Sequence, residues 1–113
     1  MDYIQEEHGS TIVEVVNLGR ATLIEAGEFK KILFQDIEAG WRHIIIDLTE
    51  CEYIDSTFLG TMVIALKKMT DLGGIIRLVG IQPEVERMFQ LTKMNRIFET
   101  FETREDALEG LIQ

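Results

Sequence analysis

The stretch His43-Ile44-Ile45-Ile46-Asp47-Leu48 decides the fold class of this sequence. Three consecutive β-branched residues are typical of a strand covered on both faces, so the stretch is predicted to lie at the centre of a sheet. A helical pattern follows over residues 57–72 and ends at Gly73-Gly74, and a second apolar strand runs over 75–79. Strand, helix and strand in this order predict two parallel strands with a right-handed crossover.

The residues before this unit predict a hairpin and a helix. Two β-favouring runs, 3–7 and 11–16, flank the turn residues His8-Gly9-Ser10. Over residues 21–39 the apolar side chains recur every three or four positions, and Gly40 follows. This spacing is typical of an amphipathic helix with one face on a core.

The residues after the unit predict two more helices with a strand between them. Pro83 suits the first turn of a helix, and residues 97–101 alternate like a half-buried strand. Thr103 with Asp106 resembles a capping box that opens a last helix. That helix is predicted to turn three apolar residues inward, Ala107, Leu108 and Leu111.

The element order is therefore ββαβαβαβα, which predicts an α/β fold. We expect a single domain over residues 1–113. Its mixed central sheet should have about five strands, packed by four helices.

Trp41 is interpreted as a packing anchor. The methionines at 62, 69, 88 and 94 are interpreted as core residues, although some of them could instead line a partner surface.

Charge and composition exclude several classes of partner. The chain has 11 basic and 20 acidic residues and a net charge of −9, which disfavours contact with nucleic acid or anionic membranes. A single cysteine precludes an internal disulfide, and the first residues lack a secretory signal, so a cytoplasmic location is expected.

The sequence carries no known signature of catalysis or of a cofactor. It has no P-loop, no dinucleotide-binding glycine motif and no zinc-protease motif. His8, His43 and Cys51 are far apart along the chain and are interpreted as ordinary structural residues. We therefore predict that the chain is not an enzyme and binds neither a metal nor a cofactor.

The segment from Glu52 to Gly60 is the most informative for function. It connects the central strand to the second helix, and such loops carry the functional surfaces of open α/β sheets. Asp55, Ser56 and Thr57 are all good helix caps, which is one sufficient explanation for them. Alternatively, Ser56 is a phosphorylation switch, because a phosphate at a helix N-terminus meets unpaired N–H groups and the positive end of the dipole.

The motif Asp55-Ser56-Thr57-x-Leu59-Gly60 resembles the STAS domain, and more narrowly the anti-sigma factor antagonists of bacteria. The resemblance includes the preceding strand that ends in Asp47-Leu48, the helix that begins at Pro83 and the segment 97–101. In the order of strands and helices it covers nearly the whole chain.

This resemblance implies a partner and a switch. It implies an anti-sigma factor with serine kinase activity as the partner, phosphorylation at Ser56 with Thr57 as second choice, and a serine phosphatase that reverses it. Partner contacts are expected along one short segment, at Asp55, Ser56, Thr57, Phe58, Leu59 and Gly60. The alternative is a stand-alone STAS subunit of a membrane transport complex, which binds its ATPase without phosphorylation.

The sequence departs from the family at two places. Phe58 stands where the family usually has glycine, and its ring is expected either to anchor a partner or to fold back into the core. Residues 17–22 lack the aspartate of the family's turn before the first helix, so this part of the partner surface is expected to differ.

Overall fold

The computed structural model describes residues 1–111 and contains a five-stranded sheet, a two-stranded ribbon and four α-helices. The elements in chain order are β1 (Tyr3–His8), β2 (Thr11–Val16), β3 (Arg20–Ala21), α1 (Leu23–Glu38), β4 (His43–Asp47), β5 (Tyr53–Ile54), α2 (Ser56–Asp71), β6 (Ile75–Val79), α3 (Pro83–Leu91), a 3₁₀ turn (Met94–Arg96), β7 (Glu99–Phe101) and α4 (Arg104–Leu108).

The main sheet has the order β1-β2-β4-β6-β7, with β4 at its centre. β1 pairs antiparallel with β2, whereas the pairs β2/β4, β4/β6 and β6/β7 are all parallel. The predicted α/β class, mixed five-stranded sheet, central strand and parallel βαβ unit are thus confirmed. The predicted hairpin is confirmed by the antiparallel pairing of β1 with β2, and Gly9 supplies a positive φ of 60° at its turn.

Helices cover both faces of the sheet. On one face, Ile44 and Ile46 of β4 pack in a cluster with side chains from α1, α2 and α3. On the other face, Ile45 packs with Ala107 and Leu108 of α4. Leu111 is also buried, so all three predicted residues point inward, but α4 ends at Leu108 and Leu111 lies in the turn after it.

The last strand is shorter than the sequence predicted. Only Glu99–Phe101 joins the sheet, because the paired segment of β6 is Arg77–Val79. Ile97 and Phe98 instead follow the 3₁₀ turn, and Phe98 packs edge-on against Phe89 of α3 at 5.8 Å between ring centroids.

Trp41 is half-buried against the main core, as its interpretation as a packing anchor requires.

An ion-pair network ties α4 to the sheet. Arg104 Nε donates to Asp47 Oδ2 at 2.9 Å, and its Nη1 donates to Glu6 Oε1 at 2.6 Å.

Within residues 1–111, no helix has both the length and the apolar character needed to cross a membrane.

Candidate functional site

A small parallel ribbon places the starts of α1 and α2 side by side. Arg20 pairs with Tyr53 and Ala21 pairs with Ile54, and the Asp55 N–H continues the ribbon by donating to the Ala21 carbonyl at 3.2 Å. Both helices begin directly after this ribbon, so two helix N-termini with their unpaired N–H groups meet at one edge.

Asp55 caps both helices at once. Its Oδ1 accepts from the Phe58 N–H of α2 at 2.9 Å, and its Oδ2 accepts from the Leu23 N–H of α1 at 2.8 Å. Of the three predicted capping residues, Asp55 is therefore the one that caps α2. Thr22 is the N-cap of α1 and forms a capping box with Glu25, so a threonine caps this helix in the turn that lacks the family's aspartate.

Replacing Asp55 by alanine is expected to lower the free energy of unfolding by about 1–3 kcal/mol, since the N-cap of α2 and a hydrogen bond to the first N–H group of α1 are lost together. Urea denaturation of the Asp55→Ala variant measures this loss. Thr57→Ala, which changes an exposed neighbour, is the control and should stay within about 0.5 kcal/mol of the wild type. An equal effect of the two variants would contradict the double cap.

Ser56 and Thr57 are exposed at the start of α2. Ser56 is the first helical residue, so a group attached to its hydroxyl lies beside the first N–H groups of the helix. These donors and the helix dipole favour a negative charge there. The position is chemically suited to accept a phosphate without disturbing the fold.

Ser56 also stands at the end of an apolar groove between α2 and the segment after α3. The groove has a volume of about 380 Å³ and is lined by Ser56, Leu59, Gly60, Val63, Ile64, Thr92 and Met94. Most of these side chains are apolar, and that of Ile64 is 47% exposed. Met94 thus lines a surface groove, while Met62 and Met69 are fully buried in the core.

Gly60 leaves the middle of this groove open. It lies inside α2, where glycine is less stable than alanine by roughly 0.5–1 kcal/mol. A Cβ built at Gly60 meets no atom within 4 Å, so the protein's own packing does not require a glycine here. The missing side chain leaves the helix backbone open at this point of the groove.

Two of the six predicted contact residues point inward. Phe58 is fully buried and stacks on Phe29 at 4.9 Å between ring centroids, and Leu59 is 2% exposed. Of the two alternatives for the Phe58 ring, the structure shows the second: helical spacing turns the ring to the same side as Met62, into the core, where it is not exposed to anchor a partner. Asp55, Ser56, Thr57 and Gly60 keep accessible surface, while Leu59 reaches only the groove floor.

Sequence reasoning missed an exposed apolar start of α1 next to Asp55. Leu23 and Ile24 are 67% and 81% exposed and begin the helix that Asp55 caps. The signal was present, because Thr22-x-x-Glu25 is a capping box that fixes the helix start at Leu23. What the sequence did not reveal is that the ribbon brings this helix start beside Ser56.

The other candidate residues lie apart from this site. Cys51 is buried, and burial raises the pKa of its thiol, which makes the thiol a poor nucleophile. His8 lies on β1 next to Glu6, whereas His43 begins β4. Among residues 1–111, no group of three or more His, Cys, Asp or Glu residues is arranged to hold a metal ion.

Comparisons with known proteins agree with this architecture. The model of the STAS domain family matches residues 6–107. A curated protein of Thermotoga maritima named "Putative anti-sigma factor antagonist" is 37% identical over 82 residues, which are 72% of this chain and 73% of that protein. A crystal structure of a Thermotoga maritima protein of the same name superposes with a TM-score of 0.86 at 28% identity, over 95% of this chain and 92% of that one.

A more distant structure shares the fold. SpoIIAA, a Bacillus cell fate determinant solved in its phosphorylated form, has a TM-score of 0.73 at 17% identity, over 95% of this chain and 96% of its own. At this identity the likeness shows the fold alone. The chain belongs to the STAS domain family. Its curated relatives carry the name of anti-sigma factor antagonists.

Proposed function

We propose that this protein is an anti-sigma factor antagonist that binds its partner through the start of α2 and the adjacent groove, and that phosphorylation of Ser56 ends this binding. The partner is an anti-sigma factor with serine kinase activity, and a serine phosphatase restores the binding form. Such a protein acts in the cytoplasm, together with the transcription machinery. Its own role is to bind, while the partner supplies the catalytic groups.

One observation carries the proposal: the exposed Ser56 lies at the end of an apolar groove. The unmodified serine is small and uncharged, so a partner can cover it together with Ile64 and Met94 at little desolvation cost. A phosphate adds about −1.5 to −2 charges at the same place. Covering that charge beside apolar side chains is unfavourable, so the same surface binds in one state and not in the other.

The site also supports a switch that leaves the fold intact. The first N–H groups of α2 favour a phosphate on Ser56. Asp55 cannot move away from that phosphate without releasing the N–H groups of Phe58 and Leu23. The modified protein therefore keeps its helix starts and gains local negative charge, which changes the surface and not the architecture.

The four accessible residues of the motif have separate roles in this proposal. Ser56 accepts the phosphate, with Thr57 as the neighbouring hydroxyl, and Asp55 positions both helix starts. Gly60 keeps the groove open for the partner. Leu23 and Ile24 extend the same surface on α1.

Replacing Gly60 by alanine is expected to separate folding from binding. The variant should unfold at higher urea concentration, because alanine is more stable than glycine in a helix by roughly 0.5–1 kcal/mol. Its affinity for the partner should fall about tenfold, since the methyl group occupies the groove. Urea denaturation and titration calorimetry measure the two effects, and a stabilised variant with unchanged affinity would count against the groove as the docking site.

Affinity capture from the native organism tests the partner. Wild type, Ser56→Ala and Ser56→Glu serve as baits side by side, and mass spectrometry identifies the retained proteins. The proposal expects an anti-sigma factor on the first two baits and its loss from the third. Retention of a transporter ATPase by all three baits would instead support the transport-complex alternative.

A further inference from the structure

Two carboxyl groups are buried together beneath the edge strand, remote from Ser56. Glu14 lies in the middle of β2 and is fully buried, and Asp36 lies near the end of α1 at 4% exposure. Gln5 of β1 covers both, because its Nε2 donates to Glu14 Oε2 at 2.8 Å and to Asp36 Oδ1 at 3.3 Å. One amide thus binds one oxygen of each carboxyl.

The second oxygen of each carboxyl lacks a donor from the protein. Within residues 1–111, no protein group donates to Glu14 Oε1 or Asp36 Oδ2, and neither carboxyl forms a salt bridge. Two ionised carboxylates at this place would repel each other, and no cation would balance their buried negative charge. A single proton removes both problems, because the protonated carboxyl donates a hydrogen bond to the other one.

The elements packed around the pair bring few charges near it. Glu14 pairs in register with Gln5 on β1 and with Ile46 on β4, and neither of these side chains titrates. A cavity of about 260 Å³ adjoins Glu14 and is lined by Met1, Tyr3, Gln5 and Ile32 as well. Burial, aided by nearby acids, raises the pKa of the Tyr3 phenol, so the phenol stays neutral. Met1, which carries the α-amino group, is 95% exposed.

We propose that Glu14 and Asp36 share one proton in the folded protein, and that its loss at alkaline pH loosens the packing of α1 on the sheet. The pair is a pH-sensitive connection between β2 and α1, since each of these elements contributes one carboxyl. It is independent of phosphorylation and of the partner surface.

The direction of the pKa shifts agrees with this arrangement. Burial, together with the hydrogen bond and the charge of Asp36, raises the pKa of Glu14 to about 9 from an ordinary value of 4.5. Burial raises the pKa of Asp36 too, although its hydrogen bond with Glu14 acts in the opposite direction.

The sign of the pH dependence follows from these shifts. Between pH 4.5 and about 9, the folded protein holds a proton that the unfolded chain has released. Stability is therefore fully present below pH 4.5 and falls as pH rises through this window, by at most about tenfold in the unfolding constant per pH unit. The lowered pKa values of Glu6 and Asp47 affect stability at acid pH, outside the upper part of the window.

NMR titration of the side-chain carboxyl carbons tests the shared proton directly. We expect the Glu14 Cδ and Asp36 Cγ signals to show that the pair keeps one proton at neutral pH and loses it only as pH approaches about 9. Titration of both carboxyls near their ordinary values, together with the exposed carboxyls, would overturn the proposal.

Urea denaturation at several values from about pH 6 to about pH 8.5 tests the consequence for stability. The wild type should lose stability as pH rises, and Glu14→Gln should remove most of this dependence. Glu7→Gln, which changes an exposed residue of β1, should keep the wild-type slope. An identical slope in all three proteins would overturn the proposal.

Asp36→Asn gives a second test that does not require the Glu14 variant to fold. Its amide donates to the ionised Glu14, so the NMR titration of Glu14 should move markedly toward lower pH. An unchanged Glu14 titration in this variant would show that the two carboxyls do not share a proton.

Discussion

Replacing Ser56 by glutamate is expected to weaken binding of the anti-sigma factor by roughly 100-fold, or about 3 kcal/mol. The new carboxylate lies at the end of the apolar groove, and the partner must cover it next to Asp55. Asp55 already accepts two N–H groups, so the new charge adds to a carboxylate that the partner must cover as well. Titration calorimetry at fixed salt concentration measures the loss.

Two matched variants separate this effect from general charge repulsion. Ser56→Ala removes the hydroxyl without adding charge and should bind within about threefold of the wild type. Ser10→Glu adds the same charge at the hairpin turn, at the sheet edge where β4 begins and not where α2 begins, and should also bind normally. Equal weakening by Ser10→Glu and Ser56→Glu would contradict a specific role for position 56.

The fold of the Ser56→Glu variant should be unchanged. A negative side chain in the first turn of a helix interacts favourably with the dipole. Circular dichroism and the melting temperature check this point. A variant that unfolds would mean that lost affinity reports stability and not the surface.

Replacing Phe58 by alanine is expected to lower the free energy of unfolding by about 4 kcal/mol. The ring is fully buried and is the last member of a three-ring stack, Tyr3, Phe29 and Phe58, whose centroids are 5.3 and 4.9 Å apart. Alanine leaves a cavity between α1 and α2 and also removes the stacking contact. A shift of the urea midpoint with unchanged slope measures this loss.

Phe58→Leu distinguishes packing from partner contact. Leucine fills most of the space, so the loss of stability should be smaller, and affinity for the partner should match the wild type because the side chain is buried. Wild-type stability combined with weakened binding would show that the ring acts on the partner after all.

The central architecture could be predicted because its patterns are local. Each pattern reports on its own element: the β-branched run 43–48, the helical spacing over 57–72 and the two β-favouring runs around the turn His8-Gly9-Ser10. Parallel pairing then follows from the connection between the strands. These steps need no knowledge of distant residues.

The candidate site could be predicted only in part because it depends on distant contacts. β3 and β5 have two residues each, which is too short for a periodic pattern, yet they bring Leu23 beside Asp55. Whether Phe58 was exposed or buried depended on Phe29, which lies 29 positions earlier along the chain. The pairing of Glu14 with Asp36 likewise needed the packing of α1 on the sheet.

The most direct test of the central claim is to locate the phosphate. The protein is incubated with its captured anti-sigma factor and ATP, and tandem mass spectrometry maps the modification in wild type, Ser56→Ala and Thr57→Ala. We expect one phosphate on Ser56, its absence from Ser56→Ala and its retention in Thr57→Ala. A complex that forms without any phosphorylation, or a wild-type phosphate on Thr57, would contradict the claim.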